Sequence, residues 1–149
     1  MTHELKIALA QINPTVGDVA GNLALLRKAR ATAVDKGADL VLTTELVMSG
    51  YPPEDLVLKP AFQAACRAAL EELAGDTKDG GPAMLVGSPW VEGDKLHNGL
   101  FLLSQGKITA SRFKYELPNY GVFDEKRVFQ PGPLQGPVSF KGVRIGLPI

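Results

Sequence analysis

Short apolar runs alternate along the chain with segments of helical spacing, and that alternation predicts an α/β domain. Leu5–Gln11 is short and apolar and reads as a strand, broken by Asn13-Pro14. Asp18 stands where a helix N-cap belongs, and Leu23, Leu26, Ala29 and Ala33 then recur at helical spacing up to Gly37, a natural C-terminal stop. Asp39–Thr43 is apolar on both faces, as a strand buried in a parallel sheet should be. The start is therefore β-α-β, with a right-handed crossover expected. A second helix is predicted over Pro60–Leu73, with Phe62, Cys66, Ala69, Leu70 and Leu73 on one face and Gly75 ending it. Ala83–Val91 and Gly99–Ser104 read as strands. Gln105-Gly106 is a tight-turn signal, with Lys107–Lys114 returning antiparallel. Pro118–Pro137 is rich in proline and glycine and is expected to be mostly loop, and Val143–Ile149 reads as one more strand.

Composition narrows the class. The chain has 149 residues, enough for one domain. Its 16 basic and 16 acidic side chains cancel, so it has no electrostatic reason to seek nucleic acid or an anionic membrane. No stretch approaches the ~20 apolar residues of a membrane span, and the N-terminus lacks the apolar core of a secretory signal. The single cysteine, Cys66, excludes an internal disulfide framework and a cysteine-based zinc site. Two histidines, His3 and His97, argue against a histidine-rich metal cluster, and both are expected to be surface or structural. A reducing, cytoplasmic compartment is the default.

A few residues stand out as candidates for chemistry. Glu45 follows the buried strand Asp39–Thr43, and in open α/β sheets ligands gather beyond the carboxyl ends of strands. On position alone it also reads as a helix N-terminal carboxylate or a solvated loop acid. Lys114 ends the strand Lys107–Lys114, where simple alternation sets it on the face of Ile108 and Ala110, with Arg112. It is either drawn into a pocket or a snorkelling edge lysine. Cys66, among Phe62, Ala69 and Leu70 at helical spacing, reads as a small core residue rather than a nucleophile. Two loop strings, Tyr51–Leu56 and Lys114–Lys126, are denser in aromatic and charged groups than a connecting loop requires.

Taken in order, these segments resemble the nitrilase (carbon–nitrogen hydrolase) superfamily. The resemblance is carried by Ile7–Gln11 leading into Asn13-Pro14, Gly17-Asp18 and Asn22, by Gly37–Val41 running to Glu45, and by Lys114-x-x-Leu117-Pro118 leading to Phe123-x-Glu125. Thr44 departs from the proline that often precedes the glutamate, a change that only shapes the turn. The strings Ser49–Leu56 and Leu117–Arg127 are similar to those of one branch, the glutaminase domains of glutamine-dependent NAD synthetases.

The resemblance implies a four-layer α-β-β-α sandwich, of which residues 1–149 would be roughly the first half, a partial glutaminase domain without the synthetase domain. It implies a Glu–Lys–Cys triad, with Glu45 as general base and Lys114 as transition-state stabiliser. Glu125 would help hold the lysine, and Tyr51 and Tyr120 would contact the glutamine. The family nucleophile would follow Ile149 directly, so the chain is expected to be a fragment that is inactive alone, with open sheet edges that favour self-association. The whole protein would be a carbon–nitrogen ligase that takes ammonia from L-glutamine. It would amidate deamido-NAD with ATP and magnesium, no metal or cofactor being expected in this part. It is expected to be a homo-oligomer. Two rival readings are another nitrilase-type amidase and a non-catalytic α/β binding module.

Overall fold

The computed structural model describes residues 4–149, and the expectation for His3 lies outside them. Strands β1 (Ile7–Leu9), β2 (Leu40–Leu42), β3 (Ala83–Glu92), β4 (Lys95–Ser104) and β5 (Lys107–Phe113) form one sheet in the order β1-β2-β3-β4-β5. The first three are parallel and the last three antiparallel. Helices α1 (Val19–Asp35) and α2 (Pro60–Asp76) supply the crossovers. A separate hairpin joins β6 (Val138–Phe140) to β7 (Val143–Ile145).

Alternation along the strands divides the core into two faces. Val41, Met84, Val86, Phe101 and Leu103 point one way and bury against Leu26, Cys66, Leu70 and Leu73 of the helices. Leu40, Leu85, Leu100 and Leu102 point the other way, where Val138, Phe140 and Ile145 of the hairpin cover them. At the sheet edge Ile7 and Leu9 stay 47% and 68% exposed.

Local chemistry accounts for the element ends. The Asp18 carboxylate accepts from the Gly21 N–H at 2.9 Å and starts α1 as expected. Gly37, at φ 66°, follows the last turn. Gln105 and Gly106 both take positive φ, which a two-residue hairpin turn requires. The second helix does not stop at Gly75: it continues to Asp76, a single 3-10 turn follows at Thr77–Asp79, and the chain reverses at Gly80. The Thr77 hydroxyl donates to the Ala74 carbonyl at 2.7 Å and satisfies one of the last acceptors. β4 starts at Lys95, four residues before the expected Gly99, because β3 and β4 turn tightly at Gly93-Asp94. β7 ends at Ile145, and Leu147 and Ile149 pack on the second core face as irregular chain.

One face assignment is corrected. The β4–β5 register slips between Leu102 and Leu103, so that Ala110 pairs with Leu102 and Ile108 with Leu103. The extra residue, Thr109, is a β-bulge, and it reverses the alternation. Ile108 therefore packs with the helices and Ala110 on the opposite face. Phe113 packs with Ile108 on the helix side, leaving Lys114, one residue on, to the other side.

Gly87 is where the fold depends on the absence of a side chain. A Cβ there would meet the Leu46 nitrogen at 2.5 Å and the Thr44 oxygen at 2.7 Å. The segment after β2 thus lies directly on β3, and the Met48 N–H donates to the Gly87 carbonyl at 3.1 Å. Gly87→Ala is expected to cost about 1–3 kcal/mol through overpacking, about 2–4 °C in Tm for each kcal/mol. Gly75→Ala, in a helix with nothing within 4 Å of the new Cβ, is expected to raise stability by roughly 1 kcal/mol. Thermal denaturation of both variants beside the parent chain checks the pair of opposite signs.

Candidate active site

Beyond β2 the chain is tied down on both sides of Glu45. The Thr43 hydroxyl donates to the Leu85 carbonyl at 2.8 Å. Leu46 adopts a positive φ of 50°, which costs a non-glycine residue roughly 1–2 kcal/mol. Its fully buried side chain, packed with Val57, Leu96, Leu117 and Phe129, offsets that cost. The Ser49 hydroxyl donates to the Leu46 carbonyl at 3.0 Å. Asn22, reaching up from α1, donates to the Thr15 and Met48 carbonyls at 2.9 and 3.1 Å and accepts from the Thr15 N–H at 2.8 Å. These bonds hold Glu45 at the carboxyl end of the parallel strands.

Lys114 follows β5, and its N–H donates to the Asn98 carbonyl at 2.8 Å. Glu125 opens a 3-10 turn, Glu125–Arg127, with its N–H on the Pro118 carbonyl at 3.1 Å. The three side chains meet. The Lys114 ammonium lies 2.9 Å from Glu45 Oε1 and 2.9 Å from Glu125 Oε1. Glu45 and Lys114 are 69 positions apart in sequence, and the expectation that their charged groups meet holds.

Lys114 is only 7% exposed. Burial pulls its proton affinity down, but the hydrogen bonds to Glu125 and Glu45 outweigh that, and its pKa lies above the ordinary lysine value. It is therefore a fixed positive charge at neutral pH and not a base. Glu45 keeps a third of its side chain exposed and is the member of the trio open to a ligand.

Tyr51 lies near this trio. Partial burial, followed by the Glu45 charge, raises its phenol pKa. It lines a cavity of about 100 Å³ with Leu46, Phe123, Glu125 and Phe129. Tyr120 is on the loop that carries Phe123 and Glu125, 70% exposed and edge-on to Phe123, and no hydrogen bond among the described residues ties it to the trio. The two loops that carry these residues are joined by Arg127, which pairs with Asp55, Glu54 and Asp124. A larger cavity, about 600 Å³ around Asp39, Thr77 and Lys141, contains none of the candidate residues.

Sequence reasoning missed Asn98. Its Nδ2 donates to Glu45 Oε1 at 2.6 Å. The available signal was an asparagine beside His97 at the head of the apolar run Leu100–Leu103. His97 is structural: its ring stacks on Phe113 at 4.5 Å and its Nδ1 bonds the Gln130 carbonyl at 2.9 Å. Cys66 is fully buried in α2, and burial pushes its thiol up to about 12. Among the described residues no three His, Cys, Asp or Glu side chains cluster to hold a metal ion, and no helix is long and apolar enough to cross a membrane.

Residues 6–149 match the carbon–nitrogen hydrolase family. The chain is 40% identical over 149 residues to the glutamine-dependent NAD(+) synthetase of Rhodobacter capsulatus and 39% identical over 146 residues to that of Thermotoga maritima. These alignments cover 100% and 97% of the chain, but it spans only about a quarter of those relatives, 27% and 25% of their lengths, in their N-terminal portions. Among solved structures it resembles the glutamine-dependent NAD+ synthetase of Acinetobacter baumannii, with TM-score 0.87 and 33% identity over 94% of the chain and 26% of the synthetase. An amidase from Nesterenkonia, of the nitrilase superfamily, gives TM-score 0.77 and 33% identity over 94% of the chain and 53% of the amidase. Structures of that amidase record covalent additions at its active-site cysteine.

Two outcomes are expected from this geometry. Cys66 should alkylate slowly in the folded chain at pH 7 and quickly once the chain is denatured, as mass spectrometry after timed iodoacetamide exposure would show. Lys114→Ala, which strips the cation from two partly buried carboxylates, should cost about 3–5 kcal/mol in denaturant unfolding.

Proposed function

This chain belongs to the carbon–nitrogen hydrolase family, and we propose that it is a portion of the glutaminase part of a glutamine-dependent NAD synthetase, the part that releases ammonia from L-glutamine. The observation that carries the reading is the Lys114 ammonium held at 2.9 Å between Glu45 and Glu125. The identity of about 40% to synthetases over the whole chain supports the substrate.

A cysteine thiol attacks the amide carbon of glutamine, and Glu45 takes the thiol proton. Lys114, charged and fixed, stabilises the oxyanion that forms. The proton on Glu45 passes to the departing nitrogen, ammonia leaves, and a thioester remains. Glu45 then accepts a proton from water, whose oxygen attacks the thioester carbon, and returns it to the sulfur as glutamate is released. Glu125 anchors the lysine, and Tyr51 and Tyr120 contact the glutamine. Tyr120 would have to turn inward from its exposed position to do so. The attacking thiol is not Cys66, which lies in the core of α2 with its pKa pushed to about 12. In this proposal it comes from outside these 149 residues.

The wider assignment is part of the same proposal. The ammonia is used in the ATP- and magnesium-dependent amidation of deamido-NAD to NAD, by residues outside this chain, in the cytoplasm. A homo-oligomer is part of the same proposal. The 33% identity to the Nesterenkonia amidase favours a second reading, hydrolysis of another small amide.

The test is amide hydrolysis. The 149 residues alone are expected to release no glutamate from glutamine. A longer protein that carries them together with a nucleophilic cysteine is expected to do so, and Glu45→Gln in it should lower kcat on the order of 10²–10⁴-fold. Faster turnover of acetamide or acrylamide than of glutamine would favour the amidase reading. Turnover by the 149 residues alone, at the rate of the longer protein, would refute the assignment of the triad.

A further inference from the structure

Asn98 is 1% exposed and lies on β4, on the face that carries Leu100 and Leu102. The residue opposite it on the next strand is Lys114, whose N–H donates to the Asn98 carbonyl at 2.8 Å. One backbone register therefore aims two side-chain donors at the same oxygen. Asn98 Nδ2 reaches Glu45 Oε1 at 2.6 Å and Lys114 Nζ reaches it at 2.9 Å. The amide orientation is fixed by chemistry, since turning it over would press Oδ1 against a carboxylate oxygen, acceptor against acceptor.

A comparison within the chain separates this asparagine from a structural one. Asn22, also 1% exposed, uses both ends of its amide, giving two hydrogen bonds and accepting one. The amide of Asn98 gives one, to Glu45, and its buried Oδ1 has no partner among the described residues. Burying an amide for a single contact is costly unless that contact is what the site requires.

We infer that Asn98 is a positioning residue of the Glu45 carboxylate, one that commits Oε1 and leaves Oε2 as the oxygen that exchanges protons. A carboxylate oxygen has two lone-pair sites, and both on Oε1 are taken, one by the amide and one by the ammonium. A proton arriving at Oε1 would have to displace one of them. No hydrogen bond among the described residues reaches Oε2, so the proton taken from the attacking thiol goes there. Without the amide, the carboxylate is free to turn about its last bond while the ammonium follows either oxygen, and the basic lone pair loses its aim.

The kinetic consequence rests on the hydrolysis proposed above; the spectroscopic one does not. In the 149-residue chain, the Asn98 side-chain amide proton facing Glu45 is expected to resonate downfield of ordinary asparagine amides and to exchange slowly. In Glu45→Gln, where the charge is gone, it should move upfield and exchange faster. In the longer active protein, Asn98→Ala is expected to lower kcat about 10- to 100-fold, the range for loss of a hydrogen bond to a charged group, with KM within about threefold. Asn98→Asp, of the same shape but with no donor, is expected to lose at least as much. An amide proton indifferent to Glu45→Gln would overturn the inference. So would Asn98 variants that lower Tm while kcat stays within twofold. If the protein prefers another amide to glutamine, the same kcat loss measured on that amide upholds the inference while the glutamine reading fails.

Discussion

The ammonium of Lys114, buried and shared between two carboxylates, is the interaction on which the rest of the site depends. A lone lysine this deep would lose its proton or force the chain open, because taking a charge out of water costs several kcal/mol. Here Glu45 and Glu125 approach from different parts of the chain, each at 2.9 Å. The charge therefore holds the turn after β2 and the Glu125 turn to one point as well as being available for chemistry. The loops carrying Tyr51 and Glu125 are linked a second time through Arg127, but those ion pairs are solvated and are worth little by comparison.

Backbone contacts make that meeting of charges possible. Glu45 lies where it does because the chain after β2 lies flat on β3, and it lies flat because residue 87 is glycine. The strained turn at Leu46 is held from below by its own buried side chain and from the side by Asn22. Lys114 is presented by the β4–β5 register, and the bulge at Thr109 sets which face it points to. Glu45 and Lys114 are thus presented from the ends of strands, and Glu125 comes to them from the loop that follows β5.

Much of this was legible in the sequence, for definite physical reasons. Helical spacing found both helices, Asp18 marked a cap, and Gln105-Gly106 marked a turn, because each is a local signal. Glu45 was found by its place at the end of a buried strand, while Lys114 and Glu125 as partners came from resemblance to a family. What was missed is non-local or depends on register. Gly75 looked like a helix end, yet a helix absorbs one glycine at roughly 1 kcal/mol when its neighbours pack well, as Leu70, Leu73 and Ala74 do. The bulge at Thr109 has no sequence mark and inverted the face of Ile108. Asn98 was hidden because a polar residue in a strand gives no hint of which carboxylate it will face.

The presence of a second carboxylate is explained by what the proposed reaction would do to the first. When Glu45 takes a proton it becomes neutral, and its hold on the ammonium falls from that of an ion pair to that of a dipole. At that moment the oxyanion has formed and most needs the ammonium in place. A lysine paired with Glu45 alone would then swing wholly toward the oxyanion or yield its proton in the low-dielectric site. In the proposed reaction Glu125 would take no part in the proton exchange, so the ammonium would stay anchored on one side while its other side is free to follow the reaction. The observed exposures suit this division: Glu125 is nearly enclosed and Glu45 opens toward solvent. Held charge and working charge are thus separate residues around one lysine.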